Sequence, residues 1–217
     1  MGKGVFVTFE GVEGSGKSTQ IRLLEDGLKK AGYTVTVTRE PGGTTPGEAL
    51  RKIALDPDTG KLDPLTELFI FSAARRELIS RVIVPALSAG HAVLLDRFAD
   101  STTAYQGYAR GLNLEMMEYL SRHVTQGAWP DRTIVLDVDV QQGLKRSIAR
   151  MADEGSGAEA RFEEESLDFH RRVRDGYLQI AKKDPQRVQI INPGTVDEVQ
   201  RAVFSSVAAL FPRLVVD

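Results

Sequence analysis

A glycine-rich loop set between a β-branched run and a helical pattern constrains this chain more than any other feature. Gly11-Val12-Glu13-Gly14-Ser15-Gly16-Lys17-Ser18 fits the spacing G-x-x-x-x-G-K-[ST]. It follows a strand-like run at residues 5–9 and opens a segment, residues 18–31, in which Ile21, Leu24 and Leu28 recur at i, i+3 and i+7 before Gly32. Glycines in such a loop let successive backbone N–H groups face inward, and the helix N-terminus adds about half a positive charge, so a phosphate group is the natural occupant. Gly11, Val12, Glu13, Gly14, Ser15, Gly16, Lys17, Ser18 and Thr19 are therefore the candidate nucleotide-binding residues. Lys17 is directed at the β- and γ-phosphates of a nucleotide such as ATP, and the Ser18 hydroxyl at Mg²⁺.

The same alternation continues along the chain. β-Branched runs at 5–9, 34–38, 92–95, 133–138 and 187–191 are separated by helix-length segments, which predicts an α/β fold with a five-stranded parallel sheet flanked by helices. Asp63-Pro64 reads as an N-cap and first-turn proline opening a helical stretch over 65–87, with Pro85 expected to kink or divide it. Helices are also predicted over 162–183 and 196–211. Residues 151–165 are small, polar, acidic and rich in glycine, and read as a mobile loop between two helices. With 217 residues and roughly 150 per domain, residues 1–217 are expected to form one domain carrying a lid at about 150–165.

Composition removes several alternatives. The absence of cysteine excludes a disulfide scaffold, a thiolate metal site and a thiol nucleophile. A net charge of -2 argues against nucleic acid as a partner, although a few local arginines suffice for small phosphorylated substrates. The apolar stretches are strand-sized, and the N-terminus has neither a signal-like apolar core nor a myristoylation pattern at Gly2, so no membrane association and a cytoplasmic location are expected. A GTPase would need N-K-x-D and D-x-x-G, and neither occurs. A small-molecule kinase suits the length and the single loop.

Residues outside the loop fit phosphoryl transfer. Val93-Leu94-Leu95-Asp96 is a buried-strand pattern ending in an acid, and ligands gather at strand carboxyl ends in such sheets, which puts Asp96 within water-bridged reach of Mg²⁺. Arg97 follows directly, and Arg39 ends the second strand. Both suit bidentate phosphate binding, against the alternative of a surface ion pair. Phe71 and Arg75 are four apart and share a helix face, where a ring and a donor fork can hold a base, although Phe71 by itself reads first as core. The three histidines, His91, His123 and His170, show no ligand spacing and read as structural or surface residues.

Several motifs in order carry a resemblance to the bacterial thymidylate kinase family. Phe9–Ser18 resembles the family's loop and Thr38-Arg39-Glu40-Pro41-Gly42-Gly43-Thr44 its second motif. Asp96-Arg97-Phe98 with Ser101, Tyr105-Gln106-Gly107 and Gly111 resembles the third, and Pro130-Asp131 with Leu136-Asp137-Val138 the fourth. The resemblance implies a P-loop three-layer sandwich with strand order 2-3-1-4-5, a homodimer, and phosphorylation of dTMP to dTDP with ATP and Mg²⁺. It assigns Phe71 to stacking on thymine, Arg75 to its O4, Thr102 to the thymine edge and Tyr105 to crowding the sugar 2′ position. Ser101 belongs to the same substrate set, and Gln106 is a further candidate for the base or sugar. Arg97 is implied at the acceptor phosphates and the transferred group. Glu13, an acid inside a phosphate loop, is implied either at the acceptor 3′-hydroxyl or in arranging Mg²⁺. Because the loop has no arginine, the resemblance implies a catalytic arginine from the lid. Arg161 is the first candidate and Arg150 the second, the latter also placed against adenine. The alternative is a solvated loop whose arginines pair with Glu163–Glu165. Phe98 stands where the family more often has Tyr or His.

Overall fold

The computed structural model describes residues 4–154 and 161–215. Residues 1–3, on which the N-terminal expectation bears, and residues 155–160 of the expected lid lie outside them.

Strands β1 (Val5–Glu10), β2 (Val35–Arg39), β3 (Ala92–Asp96), β4 (Arg132–Leu136) and β5 (Val188–Ile191) form one parallel sheet in the order β2-β3-β1-β4-β5, the order the resemblance implied. The central β1 pairs Phe9 with Asp96 on one side and with Ile134 on the other, so the ends of β1 and β3 open at the same edge. Side chains alternate with period two, as a sheet covered on both faces requires. Val7, Phe9, Leu94 and Ile134 pack with α1 (Lys17–Lys30) and α9 (Val196–Val207), whereas Phe6, Val93 and Leu95 pack on the opposite face with Leu78, Ile83 and Phe98.

Local signals explain most element boundaries. Ile21, Leu24 and Leu28 are buried along α1, and the chain leaves the helix through Gly32 at φ +79°. The Asp63 carboxylate accepts from the N–H groups of Leu65 (2.8 Å) and Thr66 (3.3 Å), starting α3 (Pro64–Leu78). The division expected at Pro85 takes the form of a wider π-helical turn, Ile79–Ile83, ahead of a short helix α4 (Val84–Ser88). Proline lacks an N–H and its ring clashes with the carbonyl four residues back, so the ladder shifts before it.

Several boundaries differ from expectation. The strand predicted over 133–138 stops at Leu136, because Asp137 turns to a two-bond pair with Arg174 (2.6 and 2.7 Å) and Asp139 accepts from Gln142 N–H at 3.0 Å, starting α7 (Val140–Glu154). The predicted loop 151–165 is helical over its first four residues, since α7 continues through Glu154. The helix predicted from 162 starts later, as α8 (Leu167–Lys183), because the Ser166 hydroxyl accepts from Phe169 N–H at 3.2 Å. The final α-helix ends at Val207 and tightens into a 3-10 turn, Ala208–Leu210. Helices α2 (Thr45–Leu55), α5 (Ala99–Thr102, continuing as a π-helical turn Thr103–Ala109) and α6 (Leu114–Thr125) add to the predicted set. In α2 the Pro46-Gly47 pair occupies the first helical turn under the Thr44 cap.

Candidate active site

The glycine loop joins β1 to α1 with Gly14 and Gly16 in the left-handed region (φ 64° and 95°). A Cβ on Gly14 would stand 2.0 Å from the Gly143 carbonyl oxygen, so the first turn of α7 presses directly on the loop backbone. Lys17 Nζ donates to the carbonyls of Gly11 (3.3 Å) and Val12 (3.1 Å) and to Ser15 Oγ (3.3 Å). Burial, reinforced by the Arg97 charge and opposed by Asp96, Glu13 and Glu10, lowers the Lys17 ammonium to about 8.

The loop forms one wall of a cavity of about 860 Å³. Glu13, Gly14, Ser15, Gly16, Lys17, Ser18, Thr19, Arg39, Phe71, Arg75, Asp96, Arg97, Ser101, Thr102, Tyr105, Gln106 and Arg150 all line it. Gly11 and Val12 lie behind the loop and contribute their carbonyls to Lys17. Asp96, at the end of β3, has a buried Oδ1 without a hydrogen-bond partner. Among the described residues no cluster of three or more His, Asp or Glu could hold a metal. Asp96 and the Ser18 hydroxyl therefore suit a cation that takes its other ligands from water and nucleotide phosphates, as Mg²⁺ does.

Arg97 sits at φ +65°, a left-handed conformation uncommon for a residue with a side chain, and this turn aims it into the cavity. Its Nη2 donates to Glu13 Oε1 (3.2 Å), and its Nη1 to Ser101 Oγ and Tyr177 Oη (3.3 Å each). Beneath it, the fully buried Glu10 accepts from Phe98 N–H (2.8 Å), Ser101 and Tyr177 (3.0 Å). Burial and the nearby Asp100 raise the Glu10 carboxyl to about 7, against the lowering effect of Ser101, Arg97 and Phe98 N–H. Burial would raise Glu13 too, but its contacts with His170, Arg97 and Tyr105 outweigh that and hold it well below the usual carboxylate range.

At the far end of the cavity Phe71 is half-buried, with its ring 6.1 Å from that of Phe162. Arg75 donates from Nε to Glu40 Oε2 and from Nη2 to Thr102 Oγ1, both at 2.8 Å, and its guanidinium lies 5.3 Å from the Phe98 ring centroid. Phe98 thus supports Arg75 through its ring face, which a polar tip is not needed to do. Arg76 donates instead to the Val124 carbonyl. Arg39 pairs with Glu48 at 3.0 Å on the cavity rim, both side chains remaining about half exposed.

Arg161 departs most from expectation. It is buried, donates to the Ala54 carbonyl (2.5 Å) and to Glu67 Oε1 (2.8 Å), and does not line the cavity. Glu165 pairs with Arg110 and Glu163 accepts from Ser147, so neither is the partner of Arg161. Arg146 on α7, one turn before Arg150, faces the cavity instead. That residue was missed, and the i, i+4 spacing from Arg150 was its available signal. His170 and Tyr177 were missed as well. They lie with Val173 on one buried face of α8, at i, i+3 and i+7, a pattern that reads as core.

The family model for thymidylate kinase matches residues 9–203. A thymidylate kinase of Geotalea daltonii is 48% identical over 206 residues, covering 94% of this chain and 96% of the relative. One from Pelobacter propionicus is 45% identical over 205 residues, covering 94% of each. The crystal structure of thymidylate kinase from Ehrlichia chaffeensis superposes with a TM-score of 0.77 at 35% identity, covering 95% of this chain and 100% of that one. The matched span includes the residues that line the cavity, and on these likenesses the chain belongs to the thymidylate kinase family.

Proposed function

We propose that the cavity performs the family's reaction, transfer of the terminal phosphoryl group of ATP to the phosphate of dTMP, giving dTDP and ADP. What supports this reading is that the glycine loop, Arg97 and the Phe71–Arg75 pair all line one cavity, which gives two nucleotides room in the same space. Two nucleotides entering from opposite ends would meet phosphate to phosphate at Arg97.

The loop N–H groups and Lys17 bind the donor phosphates. Arg97 screens the charge between donor and acceptor and aligns the attacking oxygen. Phosphoryl transfer depends on such positioning and electrostatics rather than on a covalent catalyst. The acceptor phosphate is already a nucleophile near neutral pH, so no general base is assigned. Mg²⁺ supplies charge neutralisation at the donor phosphates when bound, and Ser18 and Asp96 are the residues that would hold it. Arg75 bonds a base carbonyl, Thr102 the adjacent edge, and Tyr105 walls off the sugar 2′ position. Glu13 meets the acceptor 3′-hydroxyl. Arg150, with Arg146 beside it, takes the lid-arginine role, and residues 194–196 border the donor end near Thr19.

The chain acts as one kinase unit, a reading supported by its single sheet. A homodimer is part of the proposal. Ile53 on α2, Leu65 and Phe69 on α3, and Met116 and Tyr119 on α6 are exposed apolar side chains on helices that pack side by side. Sedimentation of the purified protein tests it. A cytoplasmic setting follows from the nucleotide substrates, and among the described residues no helix is long and apolar enough to cross a membrane.

A coupled assay of ADP release with dTMP, dUMP, dCMP, dGMP and AMP tests the reaction. Faster turnover of AMP or dCMP than of dTMP would overturn the acceptor assignment, and no turnover with any acceptor would overturn the activity.

A further inference from the structure

We propose that His170 is a positioning residue that holds the loop carboxylate of Glu13 toward the acceptor sugar. This rests on the reading of Glu13 as the group that meets the 3′-hydroxyl. His170 lies in the first turn of α8, far in sequence from every recognisable motif, yet its side chain is fully buried. Its Nδ1 is 3.1 Å from Glu13 Oε2, an ion-pair distance without hydrogen-bond alignment, so that both atoms are buried without a hydrogen bond and this carboxylate is the polar group the imidazole faces. The rest of the ring is surrounded by packing, with Phe169 meeting it at 5.5 Å and 88°. A buried imidazole with one polar neighbour is costly to retain as a mere filler.

The two oxygens of Glu13 are divided between two partners. Oε1 accepts from Arg97 Nη2 at 3.2 Å and from the Tyr105 hydroxyl, while Oε2 faces His170. Removing His170 frees the carboxylate to rotate and take Arg97 through both oxygens, the geometry this pair favours when nothing competes. That rotation would turn the acid away from the sugar and draw the arginine away from the phosphates. The same face of α8 carries Tyr177, whose hydroxyl meets Arg97, so one helix braces both members of the pair.

The test compares kcat/KM for dTMP and for its 3′-deoxy analogue in the full chain. His170→Phe, which fills the space without a donor, is expected to lower the dTMP-to-analogue ratio about tenfold while the KM for ATP stays within about twofold. His170→Asn, whose amide nitrogen can stand in for Nδ1, is expected to restore most of the ratio. If His170→Phe does not fold, His170→Leu carries the same expectation. Equal losses on both acceptors would overturn the proposal, as would failure of His170→Asn to outperform the apolar variant. Glu13→Gln separates the two levels of inference. If it leaves the ratio intact, the sugar reading of Glu13 falls and takes the proposal with it. If it collapses the ratio and the His170 variants do not, only the His170 proposal falls.

Discussion

Arg161 and Glu67 form an ion pair at 2.8 Å with both side chains almost wholly buried. The same carboxylate accepts from Arg110 (3.0 and 3.2 Å) and from Gln106 (2.9 Å), so three elements meet on one acid. The pair also sets the backbone next to Phe162, whose ring faces Phe71 and Tyr105 across the acceptor end of the cavity. A residue that sequence reasoning assigns to the transferring phosphoryl group therefore serves as an anchor in this structure.

Arg161→Ala is accordingly expected to act on stability and acceptor binding. Breaking a buried pair costs about 3 kcal/mol, which for a chain of this size corresponds to a fall of roughly 6–12 °C in Tm. KM for dTMP should rise with a smaller change in kcat. Thermal unfolding and steady-state kinetics check both. A normal Tm with a collapsed kcat would restore the phosphoryl assignment.

Arg150→Ala is expected to lower kcat by about 10²-fold, the usual loss when one donor to a developing charge is removed, with little change in KM for dTMP or in Tm. Both Arg150 and Arg146 are exposed at the cavity, so neither supports the fold as Arg161 does. If kcat survives in Arg150→Ala and falls in Arg146→Ala, the role belongs to Arg146.

Lys17→Ala should reduce turnover by at least about 10³-fold while the fold survives, since the ammonium is the one side-chain cation of the glycine loop. The wild type carries a further signature. With the lysine lowered to about 8, the free enzyme loses the ammonium as pH rises through that value. The pH profile of kcat/KM for ATP should therefore fall above about pH 8, and the kcat profile should fall at higher pH because bound phosphates favour the charged form. A kcat/KM profile flat to pH 10 would mean that the ammonium is not lowered in the free enzyme, leaving Lys17→Ala to decide its role in donor binding.

Glu10 makes a prediction about stability. Its carboxyl titrates at about 7 in the folded chain and near 4.5 when unfolded, so the unfolded state releases the proton first. The stability contributed by protonated Glu10 is present below about pH 4.5 and is lost as pH rises toward 7, with a span of ~3 kcal/mol. Glu10→Gln keeps a neutral group there, so its stability relative to wild type should improve between pH 5 and 8. Denaturant midpoints at both pH values measure the difference. A constant difference would mean that Glu10 is ionised throughout.

The legible parts of this molecule are those encoded by local spacing. The stripe of Ile21, Leu24 and Leu28, the Asp63-Pro64 cap and the loop from Gly11 to Ser18 each state their structure within a few residues. One boundary failed where a side chain chose a distant partner. Asp137 ends β4 early because Arg174 is available on α8, a fact no window around residue 137 contains. Phe71 and Arg75 could be assigned to one helix face from spacing, but only the packed structure decided that this face borders the cavity rather than the core.

By itself, then, the sequence determined the alternating α/β order, the phosphate loop, the strand-end Asp96-Arg97 pair and the arginine-rich chemistry of the site. These follow from periodicity, backbone freedom and residue type, all of which act over short stretches of chain. The tertiary structure alone decided which charges meet: Arg161 with Glu67, His170 with Glu13, and Tyr177 with Arg97. A charged or polar side chain on a helix has several possible partners of the right type. Which one it reaches depends on the faces that burial of the apolar stripes brings together, and that choice is made only when the helices close on the sheet.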